Sequence, residues 1–261
     1  MIAYPYYIVD AFTNKGFGGN PAAVVPLGNW LPAETMQLIA MENNLSETAF
    51  FVKEDGHHFH IRWFTPEFEI DLCGHATLAT AFVIFEYLNH PSETIELTCK
   101  SRKLTVNKIH NRYQLNFPSR APAQTQAPEE LIKGFNIEPN LILKSRDYFL
   151  VYEHEDQVRN IQPNFDFLNR LDIVGVIVTA PGIECDFVSR FFVPNSTIGE
   201  DPVTGSSHCS LIPYWSQNLH KRNLTAKQLS KRSGNLWCED LGERVTMAGE
   251  AVLYARGEFY L

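Results

Sequence analysis

The stretch DLCGHAT, residues 71–77, places a thiol (Cys73), a glycine (Gly74) and an imidazole (His75) directly before the apolar run LATAFVIFEYL. A cysteine and a histidine whose side chains touch can form a nucleophile and its base. Side chains two residues apart at the start of a helix are expected to point in different directions, so the pair alone is weak evidence for a nucleophile. It is equally weak evidence for a metal site, because no second Cys/His pair at ligand spacing accompanies it.

The apolar run after Gly74 predicts a helix whose first backbone N–H groups lack intrahelical partners and can bind a carboxylate or a phosphate. A second segment, EDPVTGSSHCSLIPYW, offers the same arrangement at Gly205, Ser206 and Ser207. The simpler interpretation is that Gly74 only makes a tight turn and that Ser206 only caps a helix. Two copies in one chain favour anion binding.

Two carboxylates are candidates for proton transfer. Glu47 lies in NNLSETAFFV, between a predicted helix and the start of an apolar strand. A carboxylate that loses part of its hydration holds a proton more readily near neutral pH, which suits a general acid or base. Asp201 precedes Pro202 in GEDPVTG, just before the predicted start of the second helix. The simpler interpretations are that Glu47 only caps a helix or lies in a turn, and that Asp201 only forms an Asx turn.

The remaining histidine and cysteine patterns favour structural roles. The stretch HHFH, residues 57–60, puts His58 and His60 on one face of a predicted strand. Because the sequence shows no further ligands for this pair, a surface hairpin is favoured over a metal clamp. The five cysteines are odd in number and form no CxxC pair, which predicts reduced thiols and neither a disulfide framework nor a structural zinc site.

Two segments, residues 60–82 and 188–215, echo each other and predict a duplicated lobe. They share an Arg-x-Phe-x-Pro pattern at a constant offset, carried by Arg62, Phe64 and Pro66 and by Arg190, Phe192 and Pro194. Each segment opens with the apolar alternation typical of a half-buried strand and continues into an apolar helix.

Proline and hydrophobic periodicity predict the connecting elements. Residues 76–87 predict a buried helix, and Pro213 is expected to kink or interrupt its counterpart. Residues 31–44 predict an amphipathic helix, with residues 127–137 as its counterpart in the second lobe. The proline-rich residues 117–128 have the composition of a linker.

Composition narrows the class of protein. The 261 residues are 44% hydrophobic and 20% charged, as expected of a globular protein. A net charge of −8 without a basic patch argues against nucleic acid or an anionic membrane as a partner. The first residues lack a signal-peptide pattern and no apolar stretch has the length of a membrane span, so we expect a cytoplasmic protein.

Four segments, taken in order along the chain, resemble the phenazine-biosynthesis PhzF-like family, and most closely its uncharacterised branch. These segments are VDAFTNKGFGGNPAAVV, NLSETAFF, RWFTPEFEIDLCGHATLA and EDPVTGSSHCSLIPYW. The resemblance implies the α+β fold of diaminopimelate epimerase, with two similar pseudo-symmetric lobes, each a curved, mostly antiparallel sheet around a central helix. We expect an N-terminal lobe of residues 1–117 plus about 250–261, a C-terminal lobe of residues 118–249, and an active site in the cleft between them.

The same resemblance implies an isomerase without cofactor or metal that moves a proton on a small carboxylate-bearing metabolite. Glu47 is the expected general acid/base, and His75 and Asp201 are expected to polarise the substrate or relay protons. The residues expected to bind substrate are Ser46, Gly74, Gly205 and Ser206. The family also implies a homodimer.

Two alternatives remain from the sequence. The epimerases of this fold use two thiols, and Cys73 stands at the first thiol position, but Pro202 takes the second and Cys209 lies one turn too far into the helix. A two-thiol mechanism is therefore disfavoured, and an epimerase or racemase that uses Cys73 alone is the second hypothesis. A non-catalytic protein that binds an anionic metabolite or a protein partner is the third.

Overall fold

A computed structural model describes residues 1–100 and 103–261, which form two compact units. Unit 1 comprises Met1–Asn116 and Met247–Leu261, and unit 2 comprises Phe117–Thr246. The chain thus leaves unit 1 once and returns to it for its last strand. In the described part of the chain, no helix is both long enough and apolar enough to cross a membrane.

The described residues of unit 1 form a mixed sheet with two helices. Its elements in chain order are β1 (Ala3–Ala11), β2 (Asn20–Leu27), α1 (Ala33–Asn43), β3 (Glu47–Asp55), β4 (His58–Phe64), β5 (Glu69–Ile70), α2 (Gly74–Tyr87), β6 (Thr94–Thr98), β7 (Lys103–Ile109), β8 (Arg112–Pro118, whose last two residues belong to unit 2) and the returning β18 (Ala251–Tyr260).

Helix α2 is the centre of unit 1. Every residue from His75 to Phe85 is buried, because strands β1, β2, β3, β7 and β18 all contact the helix. An uninterrupted apolar sequence is typical of a helix that is surrounded on all sides. Helix α1 instead packs on the other side of the sheet, where Met36 and Ile39 join a small core with Phe50.

Unit 2 contains one helix of 15 residues and three short helices of four to six residues. Its elements in chain order are β9 (Ala123–Gln124), α3 (Glu129–Lys133), β10 (Leu141–Lys144), β11 (Tyr148–Val151), α4 (Glu155–Asn160), α5 (Phe165–Leu168), β12 (Val176–Pro181), β13 (Phe187–Val193), β14 (Gly199–Asp201), α6 (Gly205–Leu219), β15 (Asn223–Gln228), β16 (Gly234–Asp240) and β17 (Arg244–Gly249, whose last three residues belong to unit 1).

The strand pairing of unit 1 is repeated in unit 2. In unit 1, β4 pairs antiparallel with β3 and β5 and parallel with β6. In unit 2, β13 pairs antiparallel with β12 and β14 and parallel with β15. The parallel pairs β2–β3 and β11–β12 also correspond. The echo between the two segments of sequence is therefore a duplicated topology.

The shared arginines of the two segments make the same ion pair. Arg62 binds both carboxylate oxygens of Glu69 at 2.8 Å, and its guanidinium lies 5.1 Å from the ring centre of Phe64. Arg190 binds Glu200 at 2.7 and 2.9 Å and lies 4.8 Å from the ring centre of Phe192. Each pair fixes the short strand that leads into α2 or α6.

Two expectations about elements were wrong, and a third is narrowed. Residues 127–137 do not correspond to α1, because α1 connects β2 to β3, and the segment that connects β11 to β12 holds α4 and α5 instead. Residues 117–128 are not a free linker, since β9 pairs with β10 in unit 2. Of the two outcomes expected at Pro213, a kink or an interruption, the structure excludes the interruption, because α6 continues from Gly205 to Leu219. Pro213 has no N–H to donate to the carbonyl of Cys209. This carbonyl instead accepts a hydrogen bond from the backbone N–H of Arg120 at 2.8 Å.

Candidate active site

The central feature of unit 1 is a buried contact between Glu47 and His75. Glu47 is the first residue of β3, and His75 is the second residue of α2. His75 Nε2 and Glu47 Oε2 lie 2.9 Å apart, with side chains only 5% and 15% exposed. Within residues 1–100 and 103–261, neither atom has a well-aligned hydrogen bond, so the contact is held by charge.

Asn20 approaches the other nitrogen of the same ring. Its Nδ2 lies 3.0 Å from His75 Nδ1, and the side chain is fully buried at the start of β2. Gly19 makes this position possible, because its φ is +61° and an added Cβ would lie 2.0 Å from the carbonyl oxygen of Ala11. The sequence motif GFGGNPAAVV contains both residues, but no pattern in it indicates a contact with His75.

Cys73 also touches His75, contrary to the expectation of divergent side chains. Its Sγ lies 3.5 Å from His75 Nδ1. Cys73 is the N-cap of α2 with φ −138° and ψ 117°, so its side chain does not follow the helical rotation that the expectation assumed. Glu47, Cys73 and His75 together bring three possible ligand atoms within 4.8 Å of one another.

The charges of this cluster follow from its pKa values. Burial first, and the carboxylate of Glu47 second, raise the pKa of Cys73 to about 11, so the group is a neutral thiol at neutral pH. Burial lowers the pKa of His75, but Cys73 and Glu47 raise it by more, and the result lies well above 6.5. Because the thiol is neutral, the negative group that faces the His75 imidazolium at neutral pH is Glu47.

In unit 2, Asp201 is bonded to the residue that begins the second central helix. Thr204, the N-cap of α6, donates from Oγ1 to Asp201 Oδ2 at 2.6 Å. The fully buried Gln228 donates to the carbonyl of Asp201 at 2.8 Å and accepts from the N–H of Thr204 at 2.9 Å. Gln228, which sequence analysis missed, therefore fixes both residues.

Ser206 lies in the first turn of α6 beside a cation that the sequence did not indicate. Arg146 donates from Nη2 to Ser206 Oγ at 3.1 Å. The guanidinium is held by the buried Asp147 at 2.8–3.1 Å. An arginine beside the positive end of a helix is an arrangement that attracts a carboxylate or a phosphate.

The side chains of Ser207 and His208, which follow Ser206 in α6, bind the backbone at the start of the helix. Ser207 donates to the carbonyl of Thr204 at 2.9 Å. His208 Nδ1 lies 2.7 Å from the same carbonyl, and burial lowers the pKa of His208 to about 4 although that carbonyl opposes the shift. A neutral His208 is thus the donor to the carbonyl of Thr204. Of the two adjacent serines, Ser206 and not Ser207 contacts the guanidinium of Arg146.

The structure places the expected site residues in two groups, one in each unit. Glu47 and His75 are in contact in unit 1, where Gly74 is the first residue of α2 and Ser46, half-buried, immediately precedes β3. Asp201, Gly205 and Ser206 lie around the start of α6 in unit 2. Sequence analysis missed Asn20, Arg146 and Gln228, because each acts through a partner at least 20 positions away.

Comparison with known proteins decides the family. The family profile described as phenazine biosynthesis-like protein matches residues 9–257. The chain belongs to the phenazine biosynthesis-like family. It is 51% identical over 257 residues to an uncharacterised isomerase of Pseudomonas aeruginosa, with 98% of both chains covered, and 44% identical over 268 residues to one of Halalkalibacterium halodurans, with all of both chains covered.

The structure of another phenazine biosynthesis-like protein confirms the fold. A crystal structure of a PhzF family protein from Enterococcus faecalis matches with a TM-score of 0.97 and 51% identity, over all of both chains. The family resemblance and the α+β fold class expected from the sequence are both confirmed. Within this phenazine biosynthesis-like fold, each candidate group lies at the N-terminus of a central helix, α2 or α6.

Proposed function

We propose that this phenazine biosynthesis-like protein moves a proton between two carbons of a small carboxylate-bearing metabolite, with Glu47 as general acid and base. Its isomerase class follows from its relatives. The single observation that supports the mechanism is the buried ion pair of Glu47 and His75 at 2.9 Å. A buried carboxylate next to an imidazolium combines a base with a positive charge for the anion that forms.

The proposed step is balanced by the chain's own groups. The Glu47 carboxylate removes a proton from a carbon next to the substrate's electron-withdrawing group, and the electron pair of the broken C–H bond delocalises into an enolate. Glu47, now protonated, returns the proton to another carbon, where a new C–H bond forms. Because the proton is recycled and no electrons leave the substrate, the reaction requires neither an oxidant nor a cofactor.

The remaining expected residues have binding and relay roles in this proposal. The first N–H groups of α2, from Gly74 onward, stabilise negative charge close to Glu47, and Ser46 binds the substrate beside it. Ser206, Gly205 and Arg146 bind a carboxylate at the start of α6. Asp201, oriented by Thr204, polarises the substrate or relays a proton.

Deuterium incorporation from solvent tests the mechanism with a panel of candidate substrates. The protein is incubated in D₂O with small carboxylic acids, including amino, hydroxy and unsaturated acids, and isotope exchange is followed by mass spectrometry. We expect exchange into at least one acid, and Glu47→Gln to slow it by about 10²–10⁴-fold. A Glu47→Gln protein that exchanges at the wild-type rate would refute the role of Glu47.

A thiol-dependent epimerase is the second candidate, favoured by the contact of Cys73 with His75 at 3.5 Å. The raised pKa of the Cys73 thiol opposes it, because a neutral thiol is a weak base. Loss of exchange in Cys73→Ala, with exchange retained in Glu47→Gln, supports the epimerase. A protein that binds an acid from the panel but catalyses no exchange is the non-catalytic binder.

We also propose a cytoplasmic homodimer, as the family resemblance implies. Light scattering coupled to size-exclusion chromatography distinguishes a dimer from a monomer of 29.8 kDa.

A further inference from the structure

The histidine-rich turn of unit 1 gains a third possible metal ligand from a distant strand. His57 and His58 lie where β3 turns into β4, and Glu96 lies in β6. Ligand atoms of these three side chains all lie within 4.8 Å of one another. Sequence analysis discounted this stretch as a metal site because no further ligand was visible, and the fold supplies one 38 positions after His58.

The sheet holds two of these ligands in register. His58 and Glu96 are paired residues of the parallel strands β4 and β6, and the N–H of Glu96 donates to the carbonyl of His57 at 2.9 Å. The position of Glu96 opposite the two histidines is therefore set by backbone hydrogen bonds.

The distances suit a metal ion. His58 Nδ1 and Glu96 Oε2 lie 3.1 Å apart, and donors on one tetrahedral Zn²⁺ are about 3.4 Å apart. The rings of His57 and His58 have their centres 4.3 Å apart, and His57 is exposed and can adjust its ring to the ion. Asp55 Oδ1 lies 4.0 Å from the other ring nitrogen of His58, Nε2.

We propose that His57, His58 and Glu96 form a surface site for Zn²⁺. Two imidazoles and one carboxylate are a ligand set that Zn²⁺ prefers, and three protein ligands leave the fourth position to water. A bound ion joins the β3–β4 turn to β6 and stabilises unit 1, since it binds the folded arrangement and not the unfolded chain. The site is separate from Glu47 and does not depend on the proposed reaction.

Metal titration of the full chain tests the site. The metal-free protein competes with a chromophoric chelator for Zn²⁺, and all variants carry Cys73→Ala, which removes the sulfur ligand of the Glu47–Cys73–His75 cluster. We expect one bound ion, and His57→Ala or Glu96→Gln to weaken binding at least about ten-fold. His60→Ala is the matched control, because His60 lies in the same strand 3.9 Å from a carboxylate, Glu54, outside the cluster.

Two further readouts distinguish the proposed site from metal binding elsewhere in the chain. With Co²⁺ as probe in the protein that retains Cys73, the proposed site gives no thiolate-to-metal charge-transfer band, whereas binding at Cys73 gives one. Zn²⁺ raises the midpoint of thermal unfolding of the parent protein and not that of Glu96→Gln. The proposal is overturned if the parent protein binds no stoichiometric ion, or if His57→Ala and Glu96→Gln bind Zn²⁺ as tightly as the parent.

Discussion

At the scale of single residues, His75 organises the candidate site of unit 1. Its Nε2 faces Glu47, and its Nδ1 faces both Asn20 and Cys73. An imidazolium needs an acceptor at each ring nitrogen, and the amide of Asn20 provides one when its oxygen is turned toward the ring. Asn20 thus contacts the Nδ1 side of the ring whose Nε2 faces Glu47.

The raised pKa of His75 predicts a pH-dependent stability. A histidine whose pKa is higher in the folded than in the unfolded protein stabilises the fold fully below its unfolded pKa near 6.5. That contribution is lost as the pH rises through the folded pKa. The free energy of unfolding of the wild type should therefore fall, relative to that of His75→Gln, as the pH increases above 6.5.

Urea denaturation at pH 6, 7 and 8 measures this difference. The range stays below the pKa of Cys73, about 11, and His58→Gln controls for removal of a half-exposed histidine that also faces a carboxylate, Glu96. A difference between wild type and His75→Gln that is constant with pH, or that increases, contradicts the assignment of an imidazolium beside Glu47.

At the scale of elements, the two arginine–glutamate pairs occupy equivalent positions in unequal surroundings. Arg62 and Glu69 are 24% and 27% exposed, whereas Arg190 and Glu200 are 13% and 22% exposed. Arg190 also donates to the carbonyls of Val158 and Ile161, at 3.3 and 2.8 Å, where α4 ends. A cation at the C-terminal end of a helix stabilises that end.

The inequality predicts different effects for the same substitution. Arg190→Met leaves Glu200 and the carbonyls of α4 without their donor and should lower the free energy of unfolding by about 2–4 kcal/mol. Arg62→Met, the matched control, leaves only the more exposed Glu69 and should have a smaller effect, about 1–2 kcal/mol. Equal losses in chemical denaturation, or a larger loss for Arg62→Met, would show that the bonds to α4 do not contribute.

At the scale of the whole molecule, unit 1 includes strand β18, which follows unit 2 in the chain. Strand β18 pairs antiparallel with β1 from Ala3↔Tyr260 to Ala11↔Ala251, and β2 pairs with β1 only over Tyr7–Ala11. The first part of β1 therefore obtains its described strand partner from the opposite end of the sequence.

Truncation tests this dependence. A chain that ends at Gly249 lacks β18. The amide hydrogens of β1 should then exchange with solvent at least about ten-fold faster, because less free energy is needed to open the hydrogen bonds of β1. Hydrogen exchange followed by mass spectrometry measures the change, with β11–β13 in unit 2 as the internal reference. A chain that ends at Tyr260 keeps the strand and should behave as the full chain; unchanged protection of β1 in the shorter chain contradicts the prediction.

The sequence by itself determined the features that depend on local pattern. An uninterrupted apolar run predicted the buried helix α2, the repeated Arg-x-Phe-x-Pro pattern predicted the duplication, and four ordered motifs identified the family. Glu47 and His75 were named as candidates from their motifs, and their contact at 2.9 Å was not visible in the sequence. Such features are readable because each is carried by residues close together in the chain.

Only the tertiary structure decided which distant side chains meet. The contacts of Asn20 with His75, Arg146 with Ser206 and Gln228 with Asp201 join residues 27 to 60 positions apart. Glu96 joins His57 and His58 through strand register, and the Arg120 N–H satisfies the carbonyl that Pro213 leaves free. Sequence spacing also failed to predict a contact within DLCGHAT. The extended N-cap conformation of Cys73, rather than helical spacing, turns its thiol onto His75.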